Sequence, residues 1–332
     1  MRSMTLKSLI KFSKNVFINS EKIGPWFYYD FSSLCYYFYW CRSSSWGCMY
    51  SLPRKGSKGE LLEICREQLG LNTPAIERYL SWSYNALYGD LGYSLSGEKP
   101  INEIISVRVR NSLILAVTAI LIGIPLAIIL GIVTALWRDK FPDIFISTFA
   151  IFSMTIPEFI SATILILVVA IWLNWLPGIV IVSSNSTVLE LLPNIILPVI
   201  AISMVMTAHM LRMVRSNIIQ VMSSDYVQMA KLKGVPYWKM VFIHVLPNGL
   251  LPAINIIALT IAWLLGGVVV TEVVFNYPGL GRLVIESISD RDLPVVQALA
   301  LILALIYVGV NLIADLLTLV VNPRLRTLQI RK

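Results

Sequence analysis

The sequence is poor in charge. Only 14% of its 332 residues are Asp, Glu, Lys or Arg, against about 25% in an ordinary soluble domain. Hydrophobic residues make up 57%, and mean hydropathy is +0.73. A soluble protein of this size needs far more polar surface, and a disordered chain far less apolar residue, so both classes are excluded. Histidine occurs only twice, as His209 and His244. That supplies neither a metal-ligand set nor an acid–base pair. The four cysteines are Cys35, Cys41, Cys48 and Cys65. Their spacing matches no zinc pattern, and so few in so long a chain do not make a disulfide scaffold. There is no G-x-x-x-x-G-K-[ST] stretch, so nucleotide binding is not expected of this chain. No catalytic residue, no metal ligand and no cofactor is assigned.

What is present is long uncharged runs. Residues 112–136, 191–211, 249–271 and 293–314 carry no charge, and 144–173 carries only Glu158. Each meets the roughly 20 apolar residues that a membrane helix needs. The expected fold is all-α, a polytopic helical membrane protein with five clear spans and a doubtful first one. Pro125, Pro157, Pro198 and Pro252 fall inside these runs. They predict kinked helices whose freed backbone groups find partners in a bundle.

The net charge of +8 then belongs to loops, and no nucleic-acid partner is expected. The stretch 212–248 holds Arg212, Arg215, Lys231, Lys233 and Lys239 against one acid, Asp225. The tail has Arg324, Arg326, Arg331 and Lys332 without an acid. Both are placed in the cytoplasm by the excess of Lys and Arg on that side of membranes. The loops 174–190 and 272–292, and the stretch before Ser112, then lie outside. This divides the chain into 1–54, 55–110 (external and helical), 111–321 (transmembrane, with the cytoplasmic loop 212–248) and 322–332 (cytoplasmic tail). In the external segment, 59–69 has helical periodicity, and Asn72-Thr73-Pro74 marks a turn and a second helix start.

The first 54 residues are anomalous. Residues 26–50 are the only candidate for a first span, but Asp30 and Arg42 interrupt them, and Tyr and Ser dominate. Tyr and Trp favour the membrane interface over its centre.

The most informative stretch is DYVQMAKLKGVPYWKMVFIHVLPNGLLP, from Asp225 to Pro252. Ser223-Ser224-Asp225 can cap a helix that Gly234 stops, and a second amphipathic stretch leads into Leu246-Pro247. From the residues alone, two readings stand. The short helix is a handle gripped by a soluble partner, or it is an interfacial helix anchored by Trp238 and Lys239.

This stretch resembles the EAA loop of bacterial ABC-importer permeases, with Ala230, Gly234, Leu246 and Pro247 in register. Gln228 and Met229 depart from the first two lead residues, and His244 from an apolar position. Asp225-Tyr226-Val227, Ala230, Lys233 and Gly234 are similar to the D-Y-V-x-x-A-x-x-K-G of the dipeptide/oligopeptide/nickel branch. Gly89-Asp90-Leu91-Gly92-Tyr93-Ser94 resembles its G-D-L-G-x-S element. Glu272, Phe275, Pro278, Gly279 and Gly281 resemble its E-x-x-F-x-x-P-G-x-G element in the last external loop. Asp292-Leu293-Pro294 resembles the D-x-P that follows, and Asn311, Asp315 and Asn322-Pro323-Arg324 the terminal pattern. The resemblance covers about residues 60 to 332, and its strength lies in the joint order of the motifs.

The resemblance implies a type I ABC-importer permease bundle in the bacterial inner membrane. It implies as partners a second homologous permease, two ATPase subunits that hold ATP and Mg, and a solute-binding protein. Peptides are the implied cargo, with nickel, glutathione or another small solute as alternatives. Asp225 to Gly234 would be the coupling helix, and the Glu272 element an external gate. Glu158 is a candidate for the pathway or an interface, and Asn311 and Asp315 for helix-to-helix hydrogen bonding. Family members begin with a strongly apolar helix that residues 1–54 lack. That region is therefore expected to be out of frame, or else a divergent first span, and a degenerate start would impair function. The rival class is an ion-gradient transporter, which calls for paired ionisable residues at mid-membrane and internal repeats. Only Glu158 is central, and no repeat is evident.

Overall fold

The computed structural model describes residues 73–321, apart from 97–98, 182, 184–185 and 266–267. The expectations for residues 1–54, for a helix over 59–69 and for the tail lie outside the described residues. Among the described residues the elements are helices, and extended pairing is confined to an isolated bridge between Tyr93 and Pro100.

Helix α1, Ala75–Leu87, starts directly after Pro74, where the Asn-Thr-Pro turn predicts a start. Helix α2 spans Ile101–Leu136. It begins ahead of the uncharged run and includes Arg108 and Arg110. Arginine is a good helix former, and a change in charge does not by itself end a helix.

The 144–173 run is not a straight span. It forms α3, Phe141–Thr155, and α4, Glu158–Leu165, which continues in π-helical turns over Ile166–Trp172. The two arms bend by 108° at Ile156-Pro157. Pro157 drives Ile156 into extended backbone (ψ 126°), because the proline ring disfavours helical geometry in the residue before it.

Helix α5 is Val188–Asn194, and α6 is Ile196–Met222. The loop expected to start at 212 therefore begins as helix, and the chain turns only at Ser223. Then follow α7, Asp225–Leu232, and α8, Tyr237–Met240, which runs through π turns at Val241–Val245 into α9, Leu246–Gly249. The chain ends with α10, Leu251–Leu265, α11, Val269–Val274, α12, Leu280–Ser289, and α13, Leu293–Val321.

Among the described residues, α2, α6 and α13 are each long and apolar enough to cross a membrane, and the α3–α4 pair makes a fourth if counted as one span. The 249–271 run does not form one long helix. Leu250 stands outside the helix before α10, and Val268 outside any helix before α11.

The described residues fall into two compact units, 73–102 with 290–301, and 103–289 with 302–321. The core of the second unit is built along α2. Asn111, Leu115, Ala119, Gly123, Ala127, Gly131 and Ala135 recur every fourth residue, and all are buried. A row spaced by four forms one ridge of a helix. Five of its seven members are Ala or Gly, which lets α6 approach closely. The Thr207 hydroxyl donates to the Gly123 carbonyl at 3.2 Å, and that of Ser203 to the Ala119 carbonyl at 3.5 Å. Helix α6 is central: 61% of its most apolar window is buried, against 28% for α2. Large apolar side chains left exposed, such as Leu121, Ile129, Phe145 and Phe152, are at no disadvantage against lipid.

Joined to α7 through Ser223 and Ser224, α6 is also held to α3 by an ion pair. Both guanidinium nitrogens of Arg215 that face Asp143 lie 2.7 Å from its carboxylate oxygens.

The ridge sets a graded test. A Cβ at Gly131 would stand 2.7 Å from Val214 and 3.1 Å from the Leu211 carbonyl, whereas at Gly123 it meets chiefly the mobile end of Met206. Gly131→Ala is expected to cost about 1–3 kcal/mol of stability, and Gly123→Ala less. Thermal unfolding of the purified protein in detergent reads the order, and equal losses would contradict it.

Candidate functional site

Two clusters of the second unit gather most of the residues that the sequence singles out. The first surrounds α7. Ser224 stands at its N-cap in extended backbone (ψ 151°), and Asp225 lies exposed in the first turn, where a negative charge suits the helix dipole. The helix ends in a Schellman motif. The Gly234 N–H donates to the Lys231 carbonyl at 3.0 Å and the Val235 N–H to the Ala230 carbonyl at 3.2 Å. Gly234 has φ +75°, a left-handed conformation that side chains strain.

Val227 is the buried anchor of this helix. It joins a cluster with Ala135 of α2, Val214 and Ile218 of α6, Met240, Val245 and Ala253, against which Ala230, Val235 and Leu246 pack. The opposite face carries exposed Tyr226, Met229, Leu232 and Lys233. Pro247 is exposed, and the π turns just before it accommodate a ring that would clash with the carbonyl four residues earlier. Val227 stands in the D-Y-V element without a stated role, and Met240 belongs to none of the motifs. The signal available was the spacing of Val227 and Ala230, which share a helix face.

The second cluster is organised by Glu272, which is 1% exposed. The Ser112 hydroxyl donates to its Oε1 at 2.6 Å, and the Arg282 N–H donates to Oε2 at 3.1 Å. The same Ser112 oxygen accepts the Leu280 N–H at 2.8 Å. A carboxylate and a hydroxyl thus satisfy the open N–H groups at the start of α12. Gly279 is required by close approach, since a Cβ there would fall within 2.5 Å of three Glu272 carboxyl atoms, and Gly281 is confined by Glu272 and Val269. Asn111 donates to the Pro278 carbonyl at 3.0 Å, and the Tyr277 hydroxyl donates to the Asn111 carbonyl at 2.7 Å. Phe275 is fully buried against Ala162, Leu197 and Ala201, and its carbonyl accepts the Val180 N–H at 2.9 Å.

The structure thus brings Glu272, Phe275, Pro278, Gly279 and Gly281 together. It adds Asn111, Ser112 and Tyr277, which carried no sequence signal beyond standing at the polar edge of an apolar stretch. Glu158 joins the edge of this cluster, with the Thr271 hydroxyl donating to its carboxylate.

In the first unit, the Ser94 hydroxyl donates to Asp292 at 2.5 Å, and the Ser96 hydroxyl to the same oxygen at 3.1 Å. The G-D-L-G-x-S and D-x-P elements, nearly two hundred residues apart, therefore meet. Asn311 and Asp315 lie on α13, and their side chains fall outside the described residues.

Burial pushes the Glu272 carboxyl above the usual carboxylate range, opposed by the donors from Ser112, Arg282 and Gly281. A raised folded-state value means that the folded protein holds this proton more tightly than the unfolded chain. The contribution of Glu272 to stability therefore falls as pH rises from the ordinary carboxylate range through the raised value. The melting-temperature difference between wild type and Glu272→Gln is expected to move against wild type over that interval. A difference independent of pH would contradict the assignment.

Residues 123–327 match the family described as binding-protein-dependent transport system inner membrane component. Among similar proteins, the glutathione transport system permease protein GsiC of Escherichia coli (strain K12) is 34% identical over 267 residues, covering 80% of this chain and 85% of the relative. The probable peptide ABC transporter permease protein y4tP of Sinorhizobium fredii (strain NBRC 101917 / NGR234) is 33% identical over 268 residues, with the same coverage. The apolar helices, the motif clusters and these matches agree, and the chain belongs to the family of binding-protein-dependent transport system inner membrane components, multi-pass permeases of ABC importers.

Proposed function

We propose that this chain is one of two homologous permease subunits of an ATP-driven importer, carrying short peptides across the bacterial inner membrane. Glutathione, the cargo named for one group of relatives, is itself a tripeptide and falls in the same class. Two ATPase subunits bind ATP and Mg, and a solute-binding protein delivers cargo from outside. This chain contributes no catalytic group and no cofactor site. The loop of α7 and the C-terminus face the cytoplasm, where the ATPases dock.

The observation that carries this reading is the packing of Val227. A helix that only lay on the membrane surface would turn its apolar face to lipid. Here that face is spent on α2, α6 and the start of α10 through Ala135, Val214, Ile218 and Ala253. A push on the exposed side, at Tyr226, Met229 and Leu232, is delivered to several long helices together. Packed interiors transmit such displacements because they resist compression. Asp225, Lys231 and Lys233 add charge at the rim, and Gly234 with Leu246 and Pro247 shapes the return of the chain. At the other end, the Glu272 cluster closes the 272–282 turn over α2 and serves as the external gate, with Glu158 beside it.

The test uses the full complex in proteoliposomes. Gly234→Val, strained at positive φ by about 1–2 kcal/mol, is expected to lower peptide uptake per ATP hydrolysed while the protein still inserts. Gly234→Asn, which tolerates that conformation, is expected to retain more coupling. Wild-type uptake per ATP in Gly234→Val would count against the handle.

A further inference from the structure

Beside the Glu272 cluster lies a cavity of about 370 Å³ lined by Arg108, Arg282, Ser183, Asn276, Pro278 and Val180, among others. We propose that it is a transient binding site for the carboxylate of the transported solute, passed on the way into the translocation path. The inference rests on the importer reading above.

The charge balance of the cavity supports an anion. Arg108 and Arg282 share one acid: Glu286 Oε2 lies 3.2 Å from Arg108 Nη2, and Oε1 lies 2.6 Å from Arg282 Nε. Arg282 Nη1 donates to the Asn276 carbonyl at 2.8 Å. Two guanidinium groups therefore face one carboxylate, and each keeps nitrogens beyond these bonds. Glu272 stands nearby, but its oxygens are held by the Ser112 hydroxyl and the Arg282 backbone N–H, so Glu286 is the acid that directly ion-pairs with the two guanidinium groups. Arg110, which donates to the Ser186 carbonyl at 2.8 Å, adds positive potential from the flank. Guanidinium presents a planar fork matched to carboxylate, and Ser183 and Asn276 add neutral polar groups.

The burial of the pair argues for a small solute over the acidic surface of a docking protein. The side chains of Arg108 and Arg282 are only 16% and 28% exposed. Charges that steer docking stand on an exposed rim, whereas recessed polar groups in a concavity of a few hundred Å³ mark small-ligand sites. The place also fits. Arg108 is separated along α2 from Ala135, the contact of the coupling helix, by about 40 Å at 1.5 Å per residue. The cavity is thus at the far end from the ATPase handle, where cargo arrives.

Glu286 serves as the internal counter-ion that holds both forks while the cavity is empty. An incoming carboxylate competes with it for the remaining N–H groups. Release is easy because the resident acid recovers the pair, as transport requires of a transient site.

The experiment compares uptake of trialanine and trialanine amide by the complete importer in proteoliposomes, with its binding protein supplied in excess. The two probes differ only in the terminal carboxylate. Arg282→Gln and Arg108→Gln are expected to lower the acid-to-amide uptake ratio by about tenfold, the equivalent of one charge-assisted hydrogen bond. Glu286→Gln, which frees both forks, is expected to raise it. A folding defect would lower both probes alike, so the opposite signs keep the two explanations apart. An unchanged ratio in all three variants overturns the site. A rise in the amount of binding protein needed for half-maximal uptake, equal for acid and amide, overturns it in favour of docking. Failure of wild type to take up either peptide with ATP removes the peptide reading and this site with it.

Discussion

The structure depends on one close contact, that of α2 with α6 along a ridge of small residues. In lipid, apolar side chains gain little by leaving their surroundings, so helices associate through van der Waals fit and hydrogen bonds between them. Ala119, Gly123, Ala127, Gly131 and Ala135 supply that fit. They also bare the carbonyls of Ala119 and Gly123 to Ser203 and Thr207. The two ends of the same ridge meet the two clusters proposed to carry function. Asn111 begins the row and holds the Glu272 turn, and Ala135 ends it inside the cluster that anchors α7, the proposed coupling helix. One helix contact therefore ties the two candidate sites to a single axis.

At each end, the chain solves the problem of unpaired backbone near a membrane in a different way. The C-terminus of α7 uses its own N–H groups at Gly234 and Val235, in a motif that needs only local sequence. The N-terminus of α12 uses Glu272 and Ser112, which come from other helices. The first is autonomous and suits a part gripped from outside. The second is conditional on α2 and α11 being in place, which suits a gate: if α2 shifts, the Leu280 N–H loses the Ser112 oxygen and Glu272 loses the Ser112 hydroxyl. An unsatisfied buried donor costs about 1–3 kcal/mol, enough to couple this turn to the position of α2.

Much of this was legible in the sequence where local chemistry dictates geometry. Gly234 as a helix stop, Pro74 ahead of α1 and the grouping of Glu272 with Gly279 and Gly281 all follow from backbone preferences or from a motif. Span boundaries were not legible, because absence of charge marks where a helix is apolar and not where it begins. Arg108 and Arg110 sit inside α2, and Arg212 and Arg215 inside α6. Arg215 pays for its place with Asp143 as its partner, a pairing across 72 positions that no local pattern announces. The bend at Pro157 was foreseen as a kink, but its 108° reflects α4 turning away from α3 to pack against α6 and α11. The roles of Ser112 and Met240 stayed hidden for the same reason, since they exist only once distant helices meet.

The central claim is that α7 moves with α2 and α6 as one body. Spin labels at Met229 of α7 and at Trp137, the residue directly after α2, in the assembled importer, read by pulsed electron resonance with and without ATP, measure this directly. The account predicts an unchanged distance distribution between the two labels, while labels at Met229 on this chain and at the matching position of the partner permease move relative to each other. A change between Met229 and Trp137 on ATP binding, with the second pair fixed, would contradict it.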